Sequence, residues 1–418
     1  MPSDRFLRPA IVGVTVGGLA LRFVYVLAAK RDQPVLGDAI YYTAQAKTLA
    51  EGHGFTHPFF GGPAADHPPL TSLAMAPVAF VTDSITAQRL AMSVLGAVVV
   101  LAIAYVAHLV AGPRAGLVAA VIAALYPNLW MNDALVMSDT LTALLVAALL
   151  IGVLRWRAEP SLPWVVAIGM AAGLGTLARA EMPLVVVLVV VPVVLSVSEL
   201  RTQLKVRHLL VAAAVSLLVV SPWVVRNLLV FEHPVVLSTN DGLTLVGANC
   251  DSTYYGGGVG FWDLRCAPPE PGDQSEVSSA YRTIAVDYVR DHLGRVPVVV
   301  AARVGRVWGV YRPSDMVYLN QGEGRERWAS RLGMWSYDVL LPLAGLGCWL
   351  LRRRGFGPRG LWPLLAPFVA VTIVAAAFYG IVRFRVPAEV SIVVLASVSV
   401  AAGIDRLTNR AALPAPAE

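Results

Sequence analysis

Charged side chains are sparse in this sequence and gather in a few short polar segments. The stretch 37–70, GDAIYYTAQAKTLAEGHGFTHPFFGGPAADHPPL, carries Asp38, Lys47, Glu51, His53, His57, Asp66 and His67. Tyr41, Tyr42 and Gln45 follow Asp38 at i+3, i+4 and i+7, so a helix over 38–50 would set all four on one face. A carboxylate beside phenol and amide groups suits a general base or the binding of a polar ligand. The bland alternative is a surface helix with a solvated Asp. Further charges recur as Asp133 and Asp139 in MNDALVMSDTL, Arg179 and Glu181 in LARAE, Arg226 after SPWVV, and Arg383 and Arg385 in VRFRVP. In an extended segment Arg383 and Arg385 project the same way and would form a two-pronged phosphate clamp, because guanidinium forks match phosphate oxygens. Acids and arginines focused together suit a site that holds an anion and moves a proton. Arg179 also has a purely structural use, as a partner for Glu181 or Asp139.

The elements that must position these residues are apolar. Of 418 residues 57% are hydrophobic and 14% charged, against roughly 25% charged in a soluble domain. The chain reads as a polytopic, all-α membrane protein. Apolar runs long enough to span, or nearly so, lie at 9–29, 88–111, 115–131, 136–154, 162–178, 182–198, 208–225, 335–351, 361–381 and 386–404, about ten in all. Residues 70–82 are short, contain Pro77, and read as a re-entrant or interfacial helix. The first run lacks a small-residue cleavage site and reads as a signal anchor. The net charge of +6 could suggest a nucleic-acid partner, but the arginines cluster at the ends of apolar runs, where topology explains them.

With the N-terminus cytoplasmic, every inner segment is basic: Arg5 and Arg8, Arg114, Arg155 and Arg157, Arg201 with Lys205 and Arg207, Arg352–Arg354 with Arg359, then Arg406 and Arg410. The outer face then receives 31–87, 132–138, 179–182, 226–334 and 382–386, which collects the acids and arginines above on one side. The arginines in these short outer turns run against the positive-inside tendency and need a reason. The organisation expected is an N-terminal transmembrane module, 1–225, with its first outer loop at 30–87. An outer region, 226–334, follows, then C-terminal helices, 335–405, and a cytoplasmic tail, 406–418. Residues 275–311 look helical and amphipathic, and the final ALPAPAE looks disordered. Cys250 and Cys266 could form a disulfide on the outer face or stay two free thiols. His53 and His57 read as solvated loop residues, Trp223 and Trp262 as interface-belt residues, and Arg22 as paired inside the bundle.

Taken together, GDAIYYTAQAKTLAEGHGF, HPPL at 67–70, SDTL at 138–141, LARAE at 177–181, PWVVRN at 222–227 and YGIVRFRVP at 379–387 carry a resemblance over residues 10–405. The chain resembles the GT-C superfamily of integral-membrane glycosyltransferases, in particular the branch of dolichyl-phosphate-mannose protein mannosyltransferases and aminoarabinose transferases of lipid A. The resemblance implies a polyprenyl-phosphate-linked sugar donor used on the outer face. It maps the acid that activates the acceptor hydroxyl onto Asp38, and a second acid onto Asp139 with Asp133 as rival. Where the aminoarabinose branch carries Lys and Arg, this chain has His67 and Tyr41. That departure points away from a lipid A substrate and shifts phosphate binding toward Arg383, Arg385 and Arg226.

The reading is an inverting glycosyltransferase of the cell membrane. Its catalytic residues are Asp38 and Asp139, its phosphate-binding residues Arg383, Arg385, His67 and Arg226, and its substrate-binding residues Tyr41, Tyr42, Arg179, Glu181 and Asp133. Its partners are the lipid-linked donor, a lipid, glycan or protein acceptor, and membrane lipids, with no nucleic acid. No cofactor is required, although Asp38 and Asp139 could share a divalent cation. The competing readings are a transporter or flippase of a lipid-linked sugar, which calls for midplane charges and related halves, and a non-catalytic subunit of an envelope assembly.

Overall fold

The computed structural model describes residues 4–411. Among them the only β pairing is an isolated bridge, Thr56 with Pro63, and everything else regular is helical. Seven helices are long and apolar enough to cross a bilayer: Arg8–Lys30, Ile85–Ala111, Ser138–Ala158, Thr202–Val230, Arg327–Arg353, Pro358–Ala377 and Val382–Thr408. An eighth crossing forms if Pro113–Leu125 and Pro127–Asp133 count as one span bent by 56°. The bend has a local cause. Pro127 has no N–H to continue the helix and pushes Tyr126 into extended backbone, at φ −72° and ψ 114°.

The expected count of about ten spans is not confirmed: Leu162–Ala178 and Met182–Ser196 are apolar but only 17 and 15 residues long, at or below the shortest span of about 17 residues. The short helix Leu70–Val81 forms where the interfacial helix was expected, and Ala39–Ala50 follows Asp38 as the spacing suggested.

The last helix, Val386–Ala411, is the centre of the bundle. It packs against Arg327–Arg353, Pro113–Leu125, Ile85–Ala111, Ser138–Ala158 and Pro358–Ala377. A small residue on its neighbour Arg327–Arg353 allows this: a Cβ on Gly347 would meet the Leu395 carbonyl oxygen at 1.9 Å, so the two backbones approach as only glycine permits. Within 226–334, the stretch expected to be one helical run breaks at His292–Arg295 into Gln274–Asp291 and Val296–Val307. Cys250 and Cys266 are joined in a disulfide. The expectation of a disordered tail over 412–418 lies outside the described residues.

The first loop is stapled to the 226–334 region, which corrects two expectations. His57 is buried, not solvated; its Nδ1 accepts from the backbone N–H groups of Phe59 and Phe60, and its Nε2 lies 3.5 Å from Asp66. Gln274 donates to the same Asp66 at 2.8 Å. Trp223 is likewise buried, against Phe55 with its N–H on the Leu237 carbonyl, rather than sitting in an interface belt.

Candidate active site

Asp38 stands at the entry of Ala39–Ala50, directly after Gly37, whose φ of +61° makes the turn. The helix face buries Tyr41, Tyr42 and Gln45, so Asp38 is presented on a fixed platform. Its Oδ2 accepts from Arg383 Nη1 at 2.8 Å, and His67 Nε2 lies 3.8 Å from its Oδ1. The Tyr42 ring rests on His67, with centroids 4.9 Å apart. Burial alone would raise the Asp38 carboxyl, but the Arg383 and His67 charges outweigh it and hold it well below the usual carboxylate range. Asp38 is thus ionised at neutral pH, yet a weak base while Arg383 remains on it.

Arg383 is the hub. The Nη1 that bonds Asp38 also donates to Glu323 Oε1 at 2.8 Å, and its Nη2 lies 3.5 Å from Asp139. Asp139 occupies the first turn of Ser138–Ala158, where the helix dipole favours an anion. Its side chain is completely buried, and three guanidiniums surround it: Arg383, Arg179 at 3.6 Å and Arg325 at 4.0 Å. Among the described residues, neither Asp139 oxygen accepts a hydrogen bond, and Arg179 Nη1 and Arg383 Nε also lack partners. The cluster is held by charge with hydrogen-bonding capacity left over. Arg179 leaves the helix Leu162–Ala178 in extended backbone, pairs with Glu181 at 2.6 Å, and lies over the Phe384 ring.

These groups open onto a cavity of about 350 Å³. Asp38, Tyr42, His67, Arg179, Glu181 and Arg383 form its charged wall; Val235, Phe378, Tyr379 and Phe384 give apolar surface, and Asp241 and Arg282 sit on the 226–334 side. Within this lining, Asp38 beside Arg383 and Arg179 is a carboxylate with cations that can deprotonate a hydroxyl while holding a phosphate.

The structure brings together Asp38, His67, Tyr42, Arg179, Glu181, Asp139 and Arg383, though Asp139 lies behind the arginines and does not line the cavity. Tyr41 is adjacent, its ring 5.4 Å from His67 and its hydroxyl buried. Three other candidates are engaged elsewhere. Residues 382–385 form a 3₁₀ turn instead of the expected extended segment. At three residues per turn, side chains two apart diverge, so Arg385 points away from Arg383. It bonds Glu389 at 2.5 Å and stacks on Tyr337, and the two-pronged clamp is not formed. Arg226 donates to the Ala64 and Phe55 carbonyls and pins the first loop. Asp133 pairs with Arg22 at 2.7 Å and accepts from Thr140, deep in the bundle.

The shared divalent cation does not fit this arrangement. Arg383 bridges Asp38 and Asp139, and among the described residues no three His, Cys, Asp or Glu side chains are grouped to hold a metal. Two residues escaped the sequence reading, Glu323 and Arg325. The signal available was the charge run GEGRER at 322–327, placed just before the apolar helix Arg327–Arg353.

Residues 66–225 match the sequence profile of the family described as dolichyl-phosphate-mannose-protein mannosyltransferase. No curated protein matches the chain in sequence. In fold it is similar to the oligosaccharyltransferase of Archaeoglobus fulgidus. In the apo form the TM-score is 0.55 at 16% identity, covering 96% of this chain and 51% of that one. In the complex with Zn and sulfate the TM-score is 0.56 at the same identity, covering 96% and 50%. The chain therefore spans about half the length of that enzyme. ArnT from Cupriavidus metallidurans bound to undecaprenyl phosphate aligns over 97% of this chain and 81% of its own, at 16% identity and a TM-score of 0.44.

Proposed function

We propose that this chain, whose residues 66–225 match the mannosyltransferase profile and whose fold is similar to that of an oligosaccharyltransferase, is a transferase that moves a sugar from a polyprenyl-phosphate donor to an acceptor hydroxyl with inversion. The observation that carries this reading is the meeting of Asp38 with Arg383 and Arg179 on one cavity. A lipid-linked phosphosugar brings its own leaving group, so the protein must supply a base and cations. Asp38 takes the proton of the acceptor hydroxyl as its oxygen attacks the anomeric carbon. The sugar–phosphate bond breaks, and the phosphate leaves with the bonding pair, its charge held by Arg383 and Arg179. One displacement with one base inverts the anomeric centre. The family profile is named for enzymes that use dolichyl-phosphate-mannose, which supports a polyprenyl-phosphate donor here.

We place the cavity on the extracytoplasmic side, with both termini cytoplasmic. Asp139 and the pair Arg155 and Arg157 lie at opposite ends of the helix Ser138–Ala158, so the positive-inside rule puts the arginine pair inside and the site outside. The Cys250–Cys266 disulfide in the 226–334 region agrees with an oxidising compartment. The test is to incubate the purified protein with a panel of polyprenyl-phosphate sugars and an acceptor extract. Release of polyprenyl phosphate with an inverted glycoside product is the expected result. Absence of release across the panel, or retained configuration, overturns the reading.

A further inference from the structure

Resting on that reading, we propose that Glu323 is a positioning residue for the donor: it keeps Arg383 in the cavity wall while the donor phosphate replaces Asp38 on the same guanidinium nitrogen. Arg383 Nη1 has two carboxylate partners at equal distance, Asp38 and Glu323, each at 2.8 Å. They are not equivalent. Asp38 lines the cavity with 32% of its side chain exposed, whereas Glu323 is 18% exposed and stands outside the cavity lining. A phosphate entering the cavity therefore meets the Asp38 side of Arg383 and competes with Asp38.

Glu323 also has a second guanidinium partner. Its Oε2 accepts from Arg325 Nη1 at 2.5 Å, and Arg325 Nε in turn donates to Asn132 Oδ1 at 2.9 Å. Its backbone leans on the first loop: a Cβ on Gly37 would come within 3.2 Å of the Glu323 Cα. Gly37 thus serves two ends, turning the chain into Asp38 and letting Glu323 approach. When Arg383 lets go of Asp38, Glu323 and Asp139 remain as its counter-ions, so the guanidinium stays where the phosphate arrives. The same exchange frees Asp38 from its cationic partner as the donor seats, which makes it a stronger base at the moment the acceptor needs one.

Charge counting alone predicts a different result from positioning. Three arginines, Arg179, Arg325 and Arg383, face four acids, Asp38, Asp139, Glu181 and Glu323. On net charge, deleting any one acid should strengthen binding of an anion. If Glu323 positions Arg383, its loss lets the guanidinium settle on Asp38 and weakens anion binding.

The experiment titrates a short-chain polyprenyl monophosphate into the purified full chain and its variants, with melting temperature recorded for each. Glu323→Gln should bind about ten-fold more weakly than the parent, the loss of about one well-placed charge-assisted contact. Asp38→Asn should bind several-fold more tightly, because the competitor is gone. The double variant should return close to the parent, and Glu323→Asp, which keeps the charge but withdraws it by one methylene, should fall between parent and Gln. If Glu323→Gln does not fold, Glu323→Asp decides, and binding as tight as the parent's overturns the role. Equal or tighter binding by Glu323→Gln also overturns it while leaving the donor reading intact. A parent that shows no saturable binding of the lipid phosphate overturns the donor reading and this role together.

Discussion

Arg383 and Arg385 stand two residues apart, yet the structure gives them opposite fates, and their alanine variants should separate in donor affinity, although each strands buried acids and costs stability. Arg383 touches the cavity, so Arg383→Ala removes a charge-assisted hydrogen bond to the donor phosphate. At about 1.5–3 kcal/mol for a bond to a charged group, donor affinity falls by about 10-fold to 150-fold. Arg383→Lys keeps the charge but loses the planar fork, so it should lie between Ala and the parent. Arg385 is buried with Glu389, at 3% and 2% side-chain exposure, with a guanidinium–carboxylate distance of 2.5 Å. Tyr126 adds a hydrogen bond to the same carboxylate at 2.6 Å. Arg385→Ala strands a buried charge, and removing one partner of such a pair costs about 3–5 kcal/mol. That loss appears in stability and leaves donor affinity in the folded fraction unchanged. The assay pairs lipid-phosphate titration with denaturant or thermal unfolding of the same preparations. If Arg385→Ala weakens donor binding as much as Arg383→Ala without a loss of stability, the assignment of the two roles is wrong.

Asp38→Asn keeps shape and removes basicity, so turnover should drop by about 100-fold or more although lipid phosphate binds several-fold more tightly; near-normal transfer would rule Asp38 out as the base. Arg22→Met strands the buried Asp133, whose partner it is at 2.7 Å, and should destabilise the bundle by about 3–5 kcal/mol with little change in KM among folded molecules; an altered donor KM at unchanged stability would place Asp133 at the site after all. Single cysteines at Phe60, which is exposed in the first loop, and in the 352–354 arginine run should label from opposite sides of the membrane in intact cells. Labelling of both from one side refutes the orientation.

The parts of the site that were legible in sequence are those set by local rules. The i+3, i+4 and i+7 spacing after Asp38 became a helix with Tyr41, Tyr42 and Gln45 buried. Arginines in short turns between apolar helices signalled a job for Arg179 and Arg383. What escaped depends on long-range return of the chain. Glu323 reaches Arg383 and the first loop from the charge run GEGRER at 322–327, whose pattern does not tell which distant groups it meets. His57 and Trp223 looked like surface residues because nothing local reveals that the 226–334 region closes over them. The span count stays open because the runs 162–178 and 182–198 are themselves short, and the helices Leu162–Ala178 and Met182–Ser196 extend no further.

The misjudged Arg385 did carry a local signal, and it explains why Arg383 is the residue in the cavity. Four residues beyond Arg385 is Glu389, and four beyond Arg383 is Pro387. As the 3₁₀ turn passes into the helix Val386–Ala411, the i to i+4 relation brings Glu389 alongside Arg385, and the pair forms within one turn. Arg383 has only a proline at that place, so its charge, buried at 5% side-chain exposure, must find acids from other elements. Those acids are Asp38 from the first loop, Asp139 from the start of Ser138–Ala158, and Glu323 from the turn before Arg327–Arg353. Arg383 thus gathers three distant segments of chain around the cavity. Replacing Pro387 with Glu would offer Arg383 a partner of its own and draw it out of that position. Pro387→Glu should therefore lose lipid-phosphate affinity about as far as Arg383→Lys while retaining every charged residue of the site, and unchanged affinity would show that Arg383 is held in the wall by something other than its three acids.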